Sequence, residues 1–382
     1  MSNTRRRHRA GSVTAAIGVA MSLALLVGCG SGSGNSSAGG GPANTKPITL
    51  FAGMDSIAPS PEVNTTQWKK DVAHPTIGYA GLNLINSFQV QRTKSAELIA
   101  AEYGAKLVET NANNDAGKQV SDIQDLLAQG VDALVVTPVN TDALKAVLRR
   151  ATQAKIPVIM ESAQVDSPDV LSQVYFTNQT FGQEAGQGLC DTLKGKGNVV
   201  MLRGVAGVQA ETERYDAGKQ AMQACGLTIE GEAYGNWTYA GGQKAAQTLI
   251  AQDPKIDGIW SSGSEMTRAA IDVLKSANRP LVPMTGECEN SYLQVWKADN
   301  LQSVAPIFPT WQTPEAVKLA LKALRGEPIK KQYNLQLKPI TNANLDQYVM
   351  PALSKDWWSD GYAINGKVTA YLNPDQVKTI FP

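Results

Sequence analysis

The stretch NNDAGKQVSDIQDLLAQGVDALVVTPVNTDAL, Asn113 to Leu144, decides the fold class. Within it Val120, Ile123 and Leu127 fall at i, i+3 and i+7, with Leu126 beside them, which is the buried stripe of an amphipathic helix. The run Ala133 to Thr137 that follows is short, apolar and β-branched, as a strand of a parallel sheet should be.

The same rhythm extends in both directions. Upstream, Thr76 to Tyr79 and Leu107-Val108 read as strands around a second helical stripe, Ala96, Ile99, Ala100 and Tyr103. Downstream come strands at Pro157 to Met160, Val174 to Thr177, Asn198 to Leu202, Gly258 to Trp260, Leu281 to Met284 and Ser303 to Ile307. Helical patterns near 211–224, 242–252, 265–277 and 314–325 alternate with them. Such alternation predicts an α/β fold with two doubly wound parallel sheets, since one open sheet of about ten strands is less plausible than two.

Composition fits a two-lobed body: of 382 residues, 43% are hydrophobic and 18% charged. Formal net charge is +1, but Arg5, Arg6, Arg7 and Arg9 stand in a leader without acids, and setting those four aside leaves 31 basic residues against 34 acidic. No basic stripe remains for nucleic acid. The two histidines, His8 and His74, belong to no cluster with metal-ligand spacing, so no metal or other cofactor is expected.

Residues 1–28 combine the basic run with an apolar segment from Val13 to Val27, too short for the roughly 20 residues of a bilayer span, and read as a signal peptide. Gly30 to Gly41 is rich in Gly and Ser and makes residues 29–46 a flexible tether. Of the remaining cysteines, Cys190 and Cys225 fall near helix ends in consecutive βα units. A bridge between them stays open, with Cys288 then a free thiol.

Ligands of doubly wound sheets bind beyond the carboxyl ends of the strands. Those positions hold Asn86, Phe88 and Gln89, then Glu161 and Ser162, then Asn178 and Gln179, and in the second half Arg214, Trp237, Ser262, Gly263, Glu287 and Glu289. Carboxylates, amides and an arginine suit vicinal hydroxyls, which both donate and accept, and aromatic rings suit the C–H faces of a sugar. Glu161 and Glu287 precede helices, where a carboxylate also serves as a cap. Gly204-Val205-Ala206-Gly207 lacks a third glycine or a Walker lysine and reads as a tight βα turn rather than a phosphate loop. A hydrolase finds little support: there is no Gly-x-Ser-x-Gly elbow and no histidine near the carboxylates, so no catalytic residue is assigned.

Over residues 75–340 the chain resembles the ribose-type, type I periplasmic binding proteins. Asn113 to Leu144 carries the resemblance, followed in family order by AKIPVI (154–159), the ETER run ending in Arg214, SGSEM (262–266) and MTGECEN (284–290). The resemblance implies ligand contacts from Asn86, Phe88, Gln89, Glu161, Arg214, Trp237 and Glu287. Glu161-Ser162 stands where many relatives carry Asp-Arg, Gly263-Ser264 where they carry Asn-Asp, and Ile307-Phe308 where a Gln closes the hinge. It therefore implies a class of solute, a small sugar or polyol, rather than ribose itself. It also implies three crossings between lobes near 178, 307 and 333, with lobe 1 from 47–178 and 308–333 and lobe 2 from 179–307 and 334–382.

Leu26-Val27-Gly28-Cys29 resembles the lipobox of bacterial lipoproteins, which implies a lipid on Cys29 and an extracytoplasmic protein anchored to the cell membrane. The implied role is a non-enzymatic, monomeric solute-binding protein of a sugar-type ABC importer, with a membrane permease as partner. A sensor that passes its bound state to a membrane receptor is the alternative. The stretch with Trp357, Trp358 and Tyr362 extends beyond the resemblance and receives no role.

Overall fold

The computed structural model describes residues 46–381 apart from 56–57, 253–254 and 365–366. The expected signal peptide, Cys29 and the expected tether up to residue 45 lie outside the described residues.

After a short strand β1 (Glu62–Val63), the first lobe runs β2 (Thr76–Gly81), α1 (Ser87–Glu102), β3 (Lys106–Asn111), α2 (Ala116–Ala128), β4 (Ala133–Val136), α3 (Thr141–Gln153), β5 (Val158–Glu161) and β6 (Ser172–Tyr175). Local chemistry starts each helix. The side chains of Asn86, Asp115 and Asn140 accept hydrogen bonds from the backbone N–H groups of Gln89 (3.2 Å), Lys118 (2.7 Å) and Ala143 (3.0 Å). Every residue of β4, β5 and β6 is buried, because helices cover both faces of the sheet.

The second lobe follows with α4 (Asn178–Leu193), β7 (Asn198–Arg203), α5 (Gln209–Cys225), β8 (Thr228–Tyr234), α6 (Tyr239–Gln252), β9 (Gly258–Ser261), α7 (Ser264–Ser276), β10 (Met284–Thr285), α8 (Asn290–Ala298) and β11 (Ser303–Ala305). Helix α4 packs closely on α5. A Cβ on Gly182 would lie 2.1 Å from the Arg214 carbonyl oxygen, and one on Gly186 would lie 2.7 Å from that of Gly218, so only glycine permits this approach. A disulfide joins Cys190 of α4 to Cys225 of α5, with Cα atoms 6.1 Å apart. Cys288 is a buried free thiol.

The chain then forms α9 (Gln312–Arg325), β12 (Ile329–Lys330), β13 (Gln332–Asn334), β14 (Ile340–Thr341), the hairpin β15 (Tyr362–Ile364) and β16 (Lys367–Thr369), and α10 (Pro374–Ile380). The first sheet has the order β13-β6-β5-β4-β2-β3, the second β14-β11-β10-β9-β7-β8. All pairs are parallel except β11 with β14 at the edge of the second sheet. Helix α9 packs on β4, β5 and β6 of the first lobe, so the chain returns there after β11 and leaves again between β13 and β14.

Residues 334–382, expected in the second lobe, touch both. β14 extends the second sheet, while Trp357, Leu372, Val377 and Ile380 form a small core against Leu98 of α1. Burial of that apolar cluster, rather than sheet pairing, fixes the tail to the first lobe. Strand order reverses at β2 in one sheet and at β7 in the other, which opens a crevice at the carboxyl end of each.

Candidate functional site

The two crevices face one another and are closed together. Asn86, which caps α1, uses its Nδ2 to donate to the Trp237 carbonyl of the other lobe at 3.1 Å. The Gln209 backbone N–H donates to the Val139 carbonyl at 3.1 Å, and the Gln209 side chain accepts from both the N–H and the hydroxyl of Thr141 at 3.0 Å. Leu82, Ala112 and Val139 of the first lobe pack on Val208 of the second.

Between these contacts lies a cavity of about 60 Å³, several times the 10–15 Å³ or so that one water requires. Six of the seven expected residues line it: Asn86, Phe88, Gln89, Arg214, Trp237 and Glu287.

Glu161 does not line it, which corrects the expectation that it receives solute hydroxyls. Its carboxylate is fully buried behind the cavity wall and accepts from Arg92, Thr137 and Ser162 in short hydrogen bonds, and from Thr313 of α9 at 3.3 Å. The reason is Arg92, 2% exposed, which reaches from α1 and takes the carboxylate for itself. Arg92 also donates to Thr313 Oγ1 (2.8 Å), Ser162 Oγ (3.0 Å) and Thr137 Oγ1 (3.1 Å) through Nε and Nη2, and to Gln89 Oε1 (3.4 Å) through Nη1, so the buried charge is paired within a network. Glu161 thus holds Arg92, and Arg92 faces the cavity.

Arg214 anchors the opposite side. Its Nε donates to Asn178 Oδ1, and its Nη1 to Glu287 Oε1 and to the Ser262 carbonyl, each at 3.0 Å. Burial lowers the Arg214 pKa and raises that of Glu287, and the ion pair between them opposes both shifts. The guanidinium carbon lies 3.9 Å from the Phe181 ring centre and 4.5 Å from that of Phe308, a pair of aromatic faces that steady a buried cation.

Trp237 takes a left-handed backbone conformation, φ +51°, next to Asn236 at φ +56°. A bulky residue there is strained by roughly 1–3 kcal/mol, and the surroundings hold it. Its Nε1 donates to the Ser262 carbonyl (3.1 Å) and hydroxyl (3.0 Å), and its ring lies on Gly204, where a Cβ would stand 2.3 Å from ring atoms. The glycine-rich turn 204–207 is thus a seat for this indole.

Sequence reasoning missed Arg92, Thr137, Glu213, Glu265 and Trp358 as lining residues and left Asn178 without a role. Arg92 follows Phe88 by one helical turn, which was the available signal. Glu265 has its carboxyl pushed up to about 8, first by burial and then by the nearby Glu289.

Comparison with known proteins agrees with this architecture. The family model described as periplasmic binding protein domain matches residues 77–328. The ribose import binding protein of Salmonella typhimurium is 27% identical over 286 residues, covering 75% of this chain and 95% of that protein. The xylitol-binding protein of Mycolicibacterium smegmatis is 27% identical over 275 residues, covering 71% and 75%. An ABC transporter solute binding protein from Mycobacterium smegmatis, solved with bound glycerol, superimposes with a TM-score of 0.65 at 25% identity, covering 73% of this chain and 98% of that one. A match across well over half of the chain, on two wound sheets that close over one cavity, means that this protein belongs to the periplasmic binding protein family.

Proposed function

We propose that the protein captures a small sugar or polyol outside the cytoplasm and delivers it to the permease of an ABC importer. The observation that carries this reading is the cavity between the lobes, in which Arg92, Arg214 and Glu287 offer fixed donors and acceptors beside the rings of Phe88 and Trp237. A polyhydroxylated solute uses both kinds of surface at once, and the relatives named for ribose and xylitol and the structure holding glycerol support the class.

No chemical step is involved. The solute bridges Asn86, Phe88, Gln89 and Arg92 on one lobe to Arg214, Trp237 and Glu287 on the other, so it stabilises the closed clamp over the open one. The protein acts as a monomer held at the membrane by a lipid on Cys29, which a Cys29→Ser variant would release into the soluble fraction. The lobe boundaries at 178, 307 and 333 are the hinge about which the clamp opens.

The test is a thermal-shift screen of the purified protein against pentoses, hexoses, polyols and amino acids. A solute at about 100 times its Kd adds about 2.7 kcal/mol to the stability of the folded state. The reading expects a raised Tm with a polyhydroxylated compound and none in Arg214→Ala. Shifts with amino acids alone, or none across the panel, would refute it.

A further inference from the structure

The tail beyond residue 328, where the match to the family model ends, supplies part of the cavity wall. From the second lobe, Asn290 holds this tail. Its amide donates to the carbonyls of Met350 (2.8 Å), Ser354 (3.0 Å) and Leu353 (3.3 Å), and its backbone N–H donates to the Trp357 carbonyl (2.7 Å). Glu289 and Trp358 pair as an antiparallel bridge, and the Ser359 N–H donates to the Cys288 carbonyl at 2.8 Å.

From the first lobe, Gln91 of α1 clasps the same residue. Its Oε1 accepts from the Trp358 N–H at 2.8 Å and its Nε2 donates to the Trp358 carbonyl at 3.1 Å. Asp360 accepts from the Thr310 N–H and, through its carbonyl, from Trp311 Nε1 at 2.9 Å.

These contacts fix the Trp358 side chain at the cavity. The indole, 2% exposed, packs edge to face on Phe88 with ring centres 5.0 Å apart. Its Nε1 donates to Ser87 Oγ at 2.9 Å, and Ser87 in turn donates to Glu265 of the second lobe at 3.4 Å. Rotating the ring away would leave a buried N–H without a partner and break an aromatic contact.

We propose that Trp358 is a specificity-determining residue: residues 350–360 form a strap, tied to both lobes, that delivers a rigid indole as a wall of the solute cavity and limits the size of solute accepted. The assignment rests on the solute-binding reading above and adds which part of the chain sets the limit.

Calorimetric titration of the purified protein with glycerol, xylitol, ribose and myo-inositol tests it, comparing the wild type with Trp358→Ala and with Val377→Ala. Val377 packs in the tail but does not line the cavity. Trp358→Ala is expected to shift the affinity ratio between the largest and smallest solutes about tenfold or more towards the largest, the scale of one or two methylene-sized contacts. Val377→Ala is expected to lower Tm and leave the ratio unchanged. If Trp358→Ala fails to fold, Trp358→Leu carries the same comparison. A ratio held within about twofold in the folded Trp358 variant would overturn the assignment and leave the solute-binding reading intact. A wild type that binds none of the four, and no sugar or polyol of the thermal-shift panel, would refute that reading, and this assignment with it.

Discussion

Replacing Glu161 by methionine tests whether Glu161 is structural support for Arg92 rather than a ligand contact. Both side chains are almost wholly buried, at 2% and 0% exposed, so the variant strands a guanidinium away from water. Removing one partner of such a pair typically costs about 3–5 kcal/mol, while replacing both by apolar residues is often close to neutral. At about 2–4 °C per kcal/mol for a lobe of this size, Glu161→Met should lower Tm by about 6–20 °C. Arg92→Met with Glu161→Met should recover a substantial part of that loss, less whatever Thr137, Ser162 and Thr313 forfeit as hydroxyls without their acceptor. Denaturant unfolding of the wild type, both single variants and the double variant measures the coupling directly. A single variant costing under about 1 kcal/mol, or a double variant equal to the sum of the singles, would refute the reasoning.

Gly204→Ala adds one methyl group against the Trp237 ring and should weaken solute binding at least tenfold with the first lobe unperturbed, as titration calorimetry would show. The carboxyls of Glu265, Glu289, Glu184 and Asp360 are raised to about 8, 7, 7 and 6, in each case first by burial. The folded protein therefore keeps protons that the unfolded chain has released above about pH 5, so stability should fall as pH rises from about 5 to about 8. Tm recorded across that range should decline, with a shallower decline at its upper end in Glu265→Gln. Breaking the Cys190–Cys225 bridge, which spans 35 residues, should cost about 3–4 kcal/mol of unfolding free energy while leaving solute affinity nearly unchanged, because neither cysteine lines the cavity.

The paired sheets were legible because parallel strands covered on both faces read as apolar runs, and Ala133 to Thr137 is such a run. Strand β8 was not, since it lies at the sheet edge and alternates exposed Thr228, Glu230, Glu232 and Tyr234 with half-buried Ile229, Gly231 and Ala233. Helix α8 escaped for a different reason: it is short, and Glu289, preceding it, spends its carboxylate on Arg268 rather than on a cap. At the site, residues at strand ends such as Asn86 and Trp237 were found because topology alone brings them together. Glu161 occupies such an end too, but its partner Arg92 comes from inside a helix, and no local pattern reports which buried charges meet. Trp358 was invisible as a site residue because it arrives from a tail outside the wound sheets, placed by Asn290 and Gln91.

The most direct test of the clamp is small-angle scattering from the purified protein with and without the polyhydroxylated solute that gives the largest thermal shift. The account predicts a larger radius of gyration without solute and a fall, at saturation, to the value calculated for the closed lobes, with Arg214→Ala remaining open at the same solute concentration. Scattering that is unchanged by a saturating solute, with the lobes open or closed in both conditions, would contradict closure on the solute as the basis of function.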